Sequence, residues 1–347
     1  MGVLFCFTNT IVMPEISSQI ASAVSLLKAG KIVAFPTETV YGLGADISIP
    51  SAINRVFEIK GRPANHPLIV HFPEMSQLEH WAQDIPKSAW QLAERFWPGP
   101  LTLILPRTHH VSLNVTGNQN MVGLRIPDHP IALALLNAMG PDRALVAPSA
   151  NRFGRISPTT ATHVFDELGY TVDMILDGGS CKIGLESTIV GFSDKTAIVL
   201  RPGGIPLTEL AEVLDEKVIF PKRKKTRVRV SGSLESHYAP LTPLEVWPTK
   251  SLRQRAVELK TQGLRSILLG WSAAFLSWEK NKDFLYFSMP EEPTAYGSQL
   301  YATLRRFDNG QYDRLLLEAP PNNPAWLAIT DRLQRASYVP FSKAQRR

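Results

Sequence analysis

The chain has 347 residues, of which 44% are hydrophobic and 20% are charged. This length predicts two domains with ample apolar core, and the two cysteines, Cys6 and Cys181, exclude a disulfide framework, a zinc finger and an iron–sulfur centre. Lys and Arg exceed Asp and Glu by 37 to 31, but six of the cations lie within residues 222–229, so the basic character is local and is no argument for nucleic-acid binding over the whole surface.

Residues 1–14 are apolar but lack the basic leader and the small-residue cleavage site of a signal peptide. The sequence has no run of about 18 apolar residues, so no membrane-spanning helix is predicted. The expected location is therefore the reducing cytoplasm.

From residue 15 to about 212, amphipathic helices alternate with short apolar runs, which predicts an α/β domain over residues 1–214. Helical spacing from Ile16 to Leu27 indicates a first helix, and a second covers Ser51–Lys60 with Gly61 as its stop. The predicted strands are Lys31–Phe35, Leu68–Phe72, Leu101–Leu105, Met121–Ile126, Val172–Leu176, Ser187–Phe192 and Ala197–Leu200.

Residues 215–243 are rich in charge, Ser, Gly and Pro, which predicts an interdomain linker without a packed element. A second α/β unit occupies residues 244–347. Its predicted strands are Leu244–Trp247, Ser266–Leu269 and Arg314–Leu317, and its helices lie near Ser251–Gln262, Thr294–Asn309 and Ala325–Arg335. This alternation indicates a small, mainly parallel, Rossmann-like sheet, but without the glycine-rich fingerprint of a dinucleotide site.

The most unusual stretch is Pro36–Ala45, which follows a buried strand and reads PTETVYGLGA. Hydroxyls, an acid and a tyrosine at a strand end, followed by two glycines that let the backbone approach a ligand, suit a small-molecule pocket. A polar turn that merely begins the next element would have the same composition.

Lys60 and Arg62 lie two residues apart at a helix end, followed by Pro63. They could converge on phosphate oxygens, or they could only complement the dipole at the helix C-terminus. His71 lies in an apolar run, where a core histidine is as expected as a ligand.

Further clusters of Gly, Pro, Ser and Arg lie beside other predicted strands, and each alone is ordinary loop chemistry. They are Thr116–Gly117, Arg125–Pro127, Ala147–Asn151, Gly178–Gly179, Ser187–Val190 and Arg201–Gly204. Their recurrence at strand ends indicates one shared pocket. The chain has no Walker A sequence, nucleophile elbow or His-Glu-x-x-His pair, so the pattern favours binding of phosphates and of a small polar substrate.

Taken together, these motifs resemble the threonylcarbamoyl-AMP synthases, the YrdC-like family, in the long form with an added C-terminal domain. The resemblance rests on the order of segments KIVAFPTETVYGLGA, KGRP, HPLIVH, WPGPLTLIL, VGLRIPDHP, APSAN, ESTIV, LRPGG and HYAP. It implies a twisted α/β sheet around a cationic cavity, followed by a smaller Rossmann-like domain. It also implies an L-threonylcarbamoyladenylate synthase that combines L-threonine, bicarbonate or CO2, and ATP, releasing pyrophosphate, for the threonylcarbamoyladenosine modification of tRNA at position 37.

The resemblance also assigns site residues. The family's nucleotide-binding set, taken as catalytic, maps to Lys60, Arg62, Ser149 and Asn151. Threonine recognition maps to Thr39, His71, Arg125 and Ser187, with Thr37 and Tyr41 nearby. Further ATP contacts map to His66, Thr116, Ala147, Ser157, Arg201 and Tyr238. No metal ligand is expected, and Mg²⁺ is expected to come with the nucleotide phosphates.

Tyr238 lies in the segment Ser236–Pro240, which in the long form folds over the active site as a lid. The basic tract Lys222–Arg229 could face phosphates or transfer RNA, or be a solvated linker. The expected partner is the transferase machinery that carries the group to transfer RNA, and the expected state is a monomer.

An alternative class is an RNA-binding module that uses a basic surface of the same fold. It would need basic residues interleaved with exposed aromatics, whereas the motifs of the first domain are hydroxyl and glycine clusters. Carbamoyl transfer in hydrogenase maturation is a second alternative, but it comes with cysteine-rich zinc motifs that two cysteines cannot supply.

Overall fold

The computed structural model of the protein describes residues 16–193, 196–215, 218–220, 228–232, 237–278 and 284–337. Two sheets organise these residues, one of nine strands and one of four. This confirms the α/β class with a large first domain and a smaller second one.

The helices and strands follow one another along both domains. The α-helices are α1 Ile16–Lys28, α2 Pro50–Lys60, α3 Leu78–Trp81, α4 Lys87–Phe96, α5 Leu113–Thr116, α6 Pro130–Met139, α7 Ala161–Leu168, α8 Leu207–Leu214, α9 Thr249–Thr261, α10 Pro293–Phe307 and α11 Leu327–Ala336. The strands are β1 Val33–Phe35, β2 Gly42–Asp46, β3 Ile69–His71, β4 Leu101–Pro106, β5 Met121–Arg125, β6 Leu145–Val146, β7 Met174–Ile175, β8 Thr188–Ser193, β9 Thr196–Arg201, β10 Leu244–Trp247, β11 Ser266–Gly270, β12 Leu285–Ser288 and β13 Arg314–Glu318. Short 3-10 turns lie at Met75–Gln77, Gly169–Thr171, Ala273–Trp278 and Pro324–Trp326.

The large sheet is mixed, with the strand order β7-β1-β2-β6-β3-β5-β4-β8-β9. β3 and β5 run parallel, with His71 beside Arg125 in the register, and β4 and β8 also run parallel. Because β4 and β5 run antiparallel, as do β8 and β9, the ends of β3, β5 and β9 lie at the same edge of the sheet as the start of β8. The residues at this edge can share one pocket.

Helix α2 shows why a lysine enters the core. Its apolar residues Ile53, Val56 and Phe57 lie on one face, and Lys60 falls on the same face one turn further on. Gly61 ends the helix in the left-handed conformation, so that Lys60 remains buried on the last turn.

The second sheet is fully parallel, with the order β10-β13-β11-β12, which confirms the predicted Rossmann-like unit. Strand β12 was not predicted. The C-terminal core extends into the first domain, because Val40, Ile156 and Leu185 pack in one apolar cluster with residues of α10 and α11. The backbones also approach closely: a Cβ at Gly184 would lie 2.6 Å from the carbonyl oxygen of Ser298.

The linker is more ordered than predicted. Ile219 pairs with Ile198 as an additional bridge beside β9, and Val218 and Phe220 pack against the first core. Val228 and Val230 join an apolar cluster with Ile104 and Ile189. No helix or strand lies among the described residues of 215–243, as predicted, but isolated apolar residues of the linker find partners on the sheet. Residues 222–227 and 233–236 lie outside the described residues.

Candidate functional site

An enclosed cavity of about 50 Å³ lies where the ends of β3, β5 and β9 meet the loops after β1 and β6. The residues that line it are Val40, Arg62, Ile69, His71, Arg125, Ala147, Pro148, Ser149, Glu186, Ser187, Arg201, Ser231, Gly232, His237 and Tyr238. The strand-end clusters of the sequence therefore converge, together with residues of the linker.

Arg125 is fixed from two sides. Its Nη2 donates to Glu38 Oε1 at 2.7 Å and to Thr39 Oγ1 at 2.8 Å, and its Nε donates to the carbonyl oxygen of Gly99 at 3.3 Å. Thr39 is itself held by a 2.8 Å hydrogen bond with Thr37, whose hydroxyl also donates to the carbonyl of Val40. The buried guanidinium therefore has a defined orientation at the cavity wall.

Ser187 and Arg201 form a second polar unit. Arg201 donates from Nε and Nη2 to the carbonyl oxygen of Ser187, at 3.1 and 2.8 Å, and from Nη2 to its hydroxyl at 3.1 Å. The Ser187 hydroxyl also shares a 2.7 Å hydrogen bond with Thr102. Because Arg201 Nη1 donates to the carbonyl of Ser231, this unit also holds the linker.

Arg62 also lines the cavity, and like Arg201 it contacts Ser231 of the linker. Its Nη2 donates to the carbonyl of Pro67 at 2.8 Å and to Ser231 Oγ at 3.1 Å, while its Nε is buried without a hydrogen-bond partner among the described residues. The guanidinium lies 5.6 Å from the ring centre of Phe153. Burial lowers the pKa of Arg62 to about 10, which leaves it cationic at neutral pH.

Lys60 acts on the neighbouring loop. Its Nζ donates to the carbonyl oxygens of Ser149 and Asn151, the latter at 2.6 Å. The Asn151 amide donates to Arg152 and Arg155 carbonyls, and its Oδ1 is buried without a partner among the described residues. Burial and the nearby Arg62 lower the pKa of Lys60 well below its ordinary value.

The two histidines of the HPLIVH segment differ in environment. His71 is buried at the cavity, with Nδ1 3.3 Å from the carbonyl of Ile69. Burial and the adjacent Arg125 lower its pKa to about 3, so it is neutral at physiological pH. His66 is half-buried and packs edge-on against Phe153, outside the lining.

Eight predicted residues do not line the cavity: Lys60, Thr39, His66 and Asn151, described above, and four more whose polar groups are hydrogen-bonded within the protein. The Tyr41 hydroxyl donates to the carbonyl of Gly179 at 2.8 Å. Thr116 donates to the carbonyl of Gln119 at 2.6 Å, and Ser157 to Glu186 Oε1 at 2.6 Å. Thr37 closes its own turn. Their assignment to threonine or ATP stays a prediction.

Tyr238 belongs to the linker and lines the cavity. Its hydroxyl is buried without a hydrogen-bond partner among the described residues, and its ring packs against His237, with 4.1 Å between centres. A Cβ at Gly232 would lie 2.1 Å from the Tyr238 hydroxyl oxygen, so the two parts of the linker touch here. The lining therefore contains the residue that the HYAP resemblance singled out.

Seven lining residues were not assigned from the sequence, namely Val40, Ile69, Pro148, Glu186, Ser231, Gly232 and His237. Glu186 precedes Ser187 in the ESTIV segment, and this position beside an assigned residue could have identified it from the sequence. Ser231 and Gly232 lie in a linker whose composition gives no sign of what it packs against.

The electrostatics of the site suit anions. Arg62, Arg125 and Arg201 are buried around one small space with hydroxyls between them, while Glu186 is the one acid that lines it among the described residues. Among those residues no group of three His, Cys, Asp or Glu side chains could hold a metal ion. In the same part of the chain, no helix is both long and apolar enough to cross a bilayer.

A mixed α/β sheet with a buried, cationic and hydroxyl-rich cavity is suited to binding anionic groups such as carboxylates and phosphates. A family model described as "Telomere recombination" matches residues 25–203, and one described as "Threonylcarbamoyl-AMP synthase, C-terminal domain" matches residues 205–337. The chain belongs to the threonylcarbamoyl-AMP synthase family, in its long form.

Similar proteins agree over nearly the full length. The threonylcarbamoyl-AMP synthase of Pyrococcus abyssi is 38% identical over 92% of this chain and 94% of its own, and that of Bacillus subtilis is 38% identical over 92% and 93%. The Schizosaccharomyces pombe synthase is 32% identical over 94% and 90%. The crystal structure of P. abyssi Sua5 complexed with L-threonine superposes with a TM-score of 0.84, at 36% identity, over 92% of this chain and 94% of that one.

Proposed function

We propose that this chain is an L-threonylcarbamoyladenylate synthase that uses L-threonine, CO2 or bicarbonate, and ATP. The observation that carries the proposal is the convergence of Arg62, Arg125 and Arg201 with Ser187 on one buried cavity. A site for two anionic reactants needs fixed cations and hydroxyls rather than a nucleophile.

The reaction has two bond-forming steps. The amine nitrogen of threonine attacks the carbon of CO2 and loses a proton, which gives the N-carboxylate. An oxygen of that carboxylate then attacks the α-phosphorus of ATP, the bond to the bridging oxygen breaks, and pyrophosphate leaves. The protein places the two reactants in line and offsets the growing charge on the phosphate oxygens.

Arg125 is the residue proposed to hold the threonine carboxylate, with Ser187, Thr39 and neutral His71 around the rest of the amino acid. Its orientation by Glu38 and Thr39 supports a directed ion pair. Thr37 supports the same wall by closing its own turn, and Tyr41 supports it through its hydrogen bond to the distant carbonyl of Gly179.

Arg62 and Arg201 are proposed to hold the phosphates, with Lys60, Ser149 and Asn151 shaping the adjoining loop. Arg62 Nε and Asn151 Oδ1 are buried and have no hydrogen-bond partner among the described residues, which supports this role, since polar atoms buried in a native site ordinarily have partners. His66, Thr116, Ala147 and Ser157 complete the proposed nucleotide wall, and Tyr238 covers it.

The cavity of about 50 Å³ has room for a few waters or a bicarbonate, whereas a nucleotide is far larger. We therefore expect part of the linker to shift outward when ATP binds. Among the described residues no group of three His, Cys, Asp or Glu side chains could hold Mg²⁺, and any Mg²⁺ is assigned to the nucleotide phosphates.

The remaining assignments also follow from the resemblance. We assign catalysis to residues 1–214, the lid to 215–243 and the second domain to 244–347, in a cytoplasmic monomer that delivers its product to the threonylcarbamoyl transferase machinery. The RNA-binding alternative is less favoured, because the cations of the site are buried rather than arrayed on a surface. Of the basic tract, Arg229 donates to the carbonyl of Gly117.

The test is pyrophosphate release by the full chain with ATP, Mg²⁺ and bicarbonate, with L-threonine present or replaced by L-serine or L-valine. We expect release to require threonine and bicarbonate together. Lys60→Ala and Arg62→Ala should each reduce it by about 100-fold or more, whereas Arg55→Ala, on the outer face of the same helix, should not. Release without an amino acid, or full activity in a folded Lys60→Ala/Arg62→Ala double variant, would refute the proposal.

A further inference from the structure

Glu186 lines the cavity, and two of its three hydrogen-bond donors come from the second domain. Its carboxylate accepts from the Ser157 hydroxyl at 2.6 Å, from the Tyr301 hydroxyl at 3.1 Å and from Arg332 Nε at 2.7 Å. Tyr301 lies in α10 and Arg332 in α11. Both side chains are almost fully buried.

The same two side chains also contact the lid. The guanidinium carbon of Arg332 lies 5.0 Å from the ring centre of Tyr238, and the Tyr301 ring stacks on Tyr238 with 5.9 Å between centres. A cation and an aromatic ring in these positions stabilise the Tyr238 ring where it is.

We propose that Arg332 and Tyr301 are positioning residues for the synthase reaction. They keep the Glu186 carboxylate paired at the cavity wall and hold Tyr238 at the cavity. The inference rests on the proposed function and assigns a role to the second domain beyond anchoring the linker. Neither residue lines the cavity, so both act through Glu186, Ser187 and Tyr238.

Charge is the physical reason. Glu186 lines a cavity meant for polyanions, and it is adjacent in sequence to Ser187, which Arg201 holds. An uncompensated carboxylate there would repel phosphates and compete for Arg201. Burial alone would raise the pKa of Glu186, but Arg332 and Arg201, with the Ser157 hydroxyl, hold it at about 2. Arg332 therefore lets an ionised glutamate remain in a phosphate site.

The groups that face Glu186 come from several elements, and they are Ser157, Arg201, His237, Tyr238, Tyr301 and Arg332. Removal of the Arg332 cation should raise the pKa of Glu186, because burial is then opposed only by Arg201 and the Ser157 hydroxyl. As pH falls through that pKa the carboxyl becomes neutral and its repulsion of phosphate disappears. ATP affinity in such a variant should therefore rise as pH falls.

The experiment measures ATP affinity by calorimetry, between about pH 6 and pH 8, for the full chain and for Arg332→Met, Glu186→Gln and the double variant. Arg332→Met should bind ATP about 10-fold more weakly at the upper pH and recover toward the lower pH, because an unpaired buried charge is costly. The double variant should regain affinity to within about threefold of wild type and lose this pH dependence. Arg255→Met removes a guanidinium paired with Glu245 at the surface of the second domain, and it should match wild type.

Tyr301→Phe keeps the ring and removes only the hydroxyl, which guards against a failure of Arg332→Met to fold. It should raise the KM for ATP about threefold or more with a smaller effect on kcat. Wild-type affinity and pH profile in folded Arg332→Met, or an unaltered KM in Tyr301→Phe, would overturn the inference. Calorimetry needs no turnover, so this result is separate from the threonine-dependent pyrophosphate assay that tests the proposed function.

Discussion

Glu38 and Arg125 form an ion pair of 2.7 Å whose two side chains are 4% and 5% exposed. Glu38 Oε2 also accepts from the backbone N–H of Asp128 at 3.0 Å, so the carboxylate is held by a backbone group as well as by the guanidinium. A buried cation is thereby aimed into the cavity without a substrate. The threonine carboxylate, in our proposal, joins an arginine that already has one acidic partner.

Glu38→Gln should destabilise the protein because it leaves the Arg125 cation without a charged partner. We expect a loss of about 3 kcal/mol in the free energy of unfolding. Saturating L-threonine should raise the melting temperature of this variant more than that of wild type, because its carboxylate replaces the one removed. Thermal melts with and without threonine measure both effects.

The matched control for this change is Glu245→Gln, which breaks an ion pair with Arg255 whose side chains are 21% and 23% exposed. Such pairs contribute about 1 kcal/mol or less, and threonine should not alter the outcome. Equal threonine-induced shifts in wild type and Glu38→Gln would contradict a carboxylate site at Arg125.

Lys60 should take up a proton when ATP binds. Burial and Arg62 lower its pKa in the free protein, and incoming phosphates raise the pKa again because they favour the charged amine. The affinity for ATP should then fall as pH rises into the alkaline range. Calorimetry in two buffers of different ionisation enthalpy measures the proton uptake.

Lys60→Met should abolish this linked proton uptake, whereas Lys87→Met, at an exposed position of α4, should leave it intact. Undiminished uptake in folded Lys60→Met would assign the proton to another group.

Gly232→Ala should displace the lid. The added Cβ would lie 2.1 Å from the Tyr238 hydroxyl, and Gly232 has a φ of +75°. We expect the overpacking to weaken closure by about 1–3 kcal/mol and trypsin to cleave after Arg229 several times faster. Mass spectrometry of a digestion time course identifies the cut.

Gly263→Ala is the control that distinguishes the steric clash in Gly232→Ala from the backbone strain of an alanine at positive φ. Gly263 has a φ of +74°, but its Cβ would meet nothing within 4 Å. Both variants share a strain of about 1 kcal/mol, so only Gly232→Ala should accelerate cleavage. Identical digestion of the two variants would show that Tyr238 and Gly232 do not hold each other.

His71 and His237 should make stability depend on pH. Burial lowers the pKa of each to about 3, so between about pH 3 and 6.5 the unfolded chain binds protons that the folded chain does not. The free energy of unfolding should fall as pH decreases, by up to about 2.7 kcal/mol per pH unit from the pair. Urea unfolding at several pH values measures the slope, and His237→Gln should remove about half of this contribution. An unchanged slope would show that His237 is not buried in its neutral form.

Much of the fold could be predicted from the sequence, because elements such as α2, β4 and β13 carry strong apolar periodicity. Strand β2 was missed since its glycines, Gly42 and Gly44, are typical of loops, and its pairing with β1 compensates for their poor strand propensity. Strand β6 has two residues and no pattern at all. The bridge at Ile219 depends on the free edge of β9, which only the folded sheet supplies.

For the site, the motifs showed which loops converge, and eight of the assigned residues do line the cavity: Arg62, His71, Arg125, Ala147, Ser149, Ser187, Arg201 and Tyr238. What could not be predicted is which polar groups pair with one another. The partner of Arg125 is 87 residues away and that of Glu186 is 146 residues away. Such pairs follow from packing between elements and leave no local pattern.

The apolar cluster that joins Val40, Ile156 and Leu185 to Leu300 has a consequence for how the molecule comes apart. Separating the two sheets would bring those side chains into water and leave the Glu186 carboxylate without its Arg332 partner. Unfolding of either domain alone would therefore cost additional free energy. Heat and denaturant should therefore encounter a single cooperative unit, with the catalytic sheet and the Rossmann-like sheet lost in one transition.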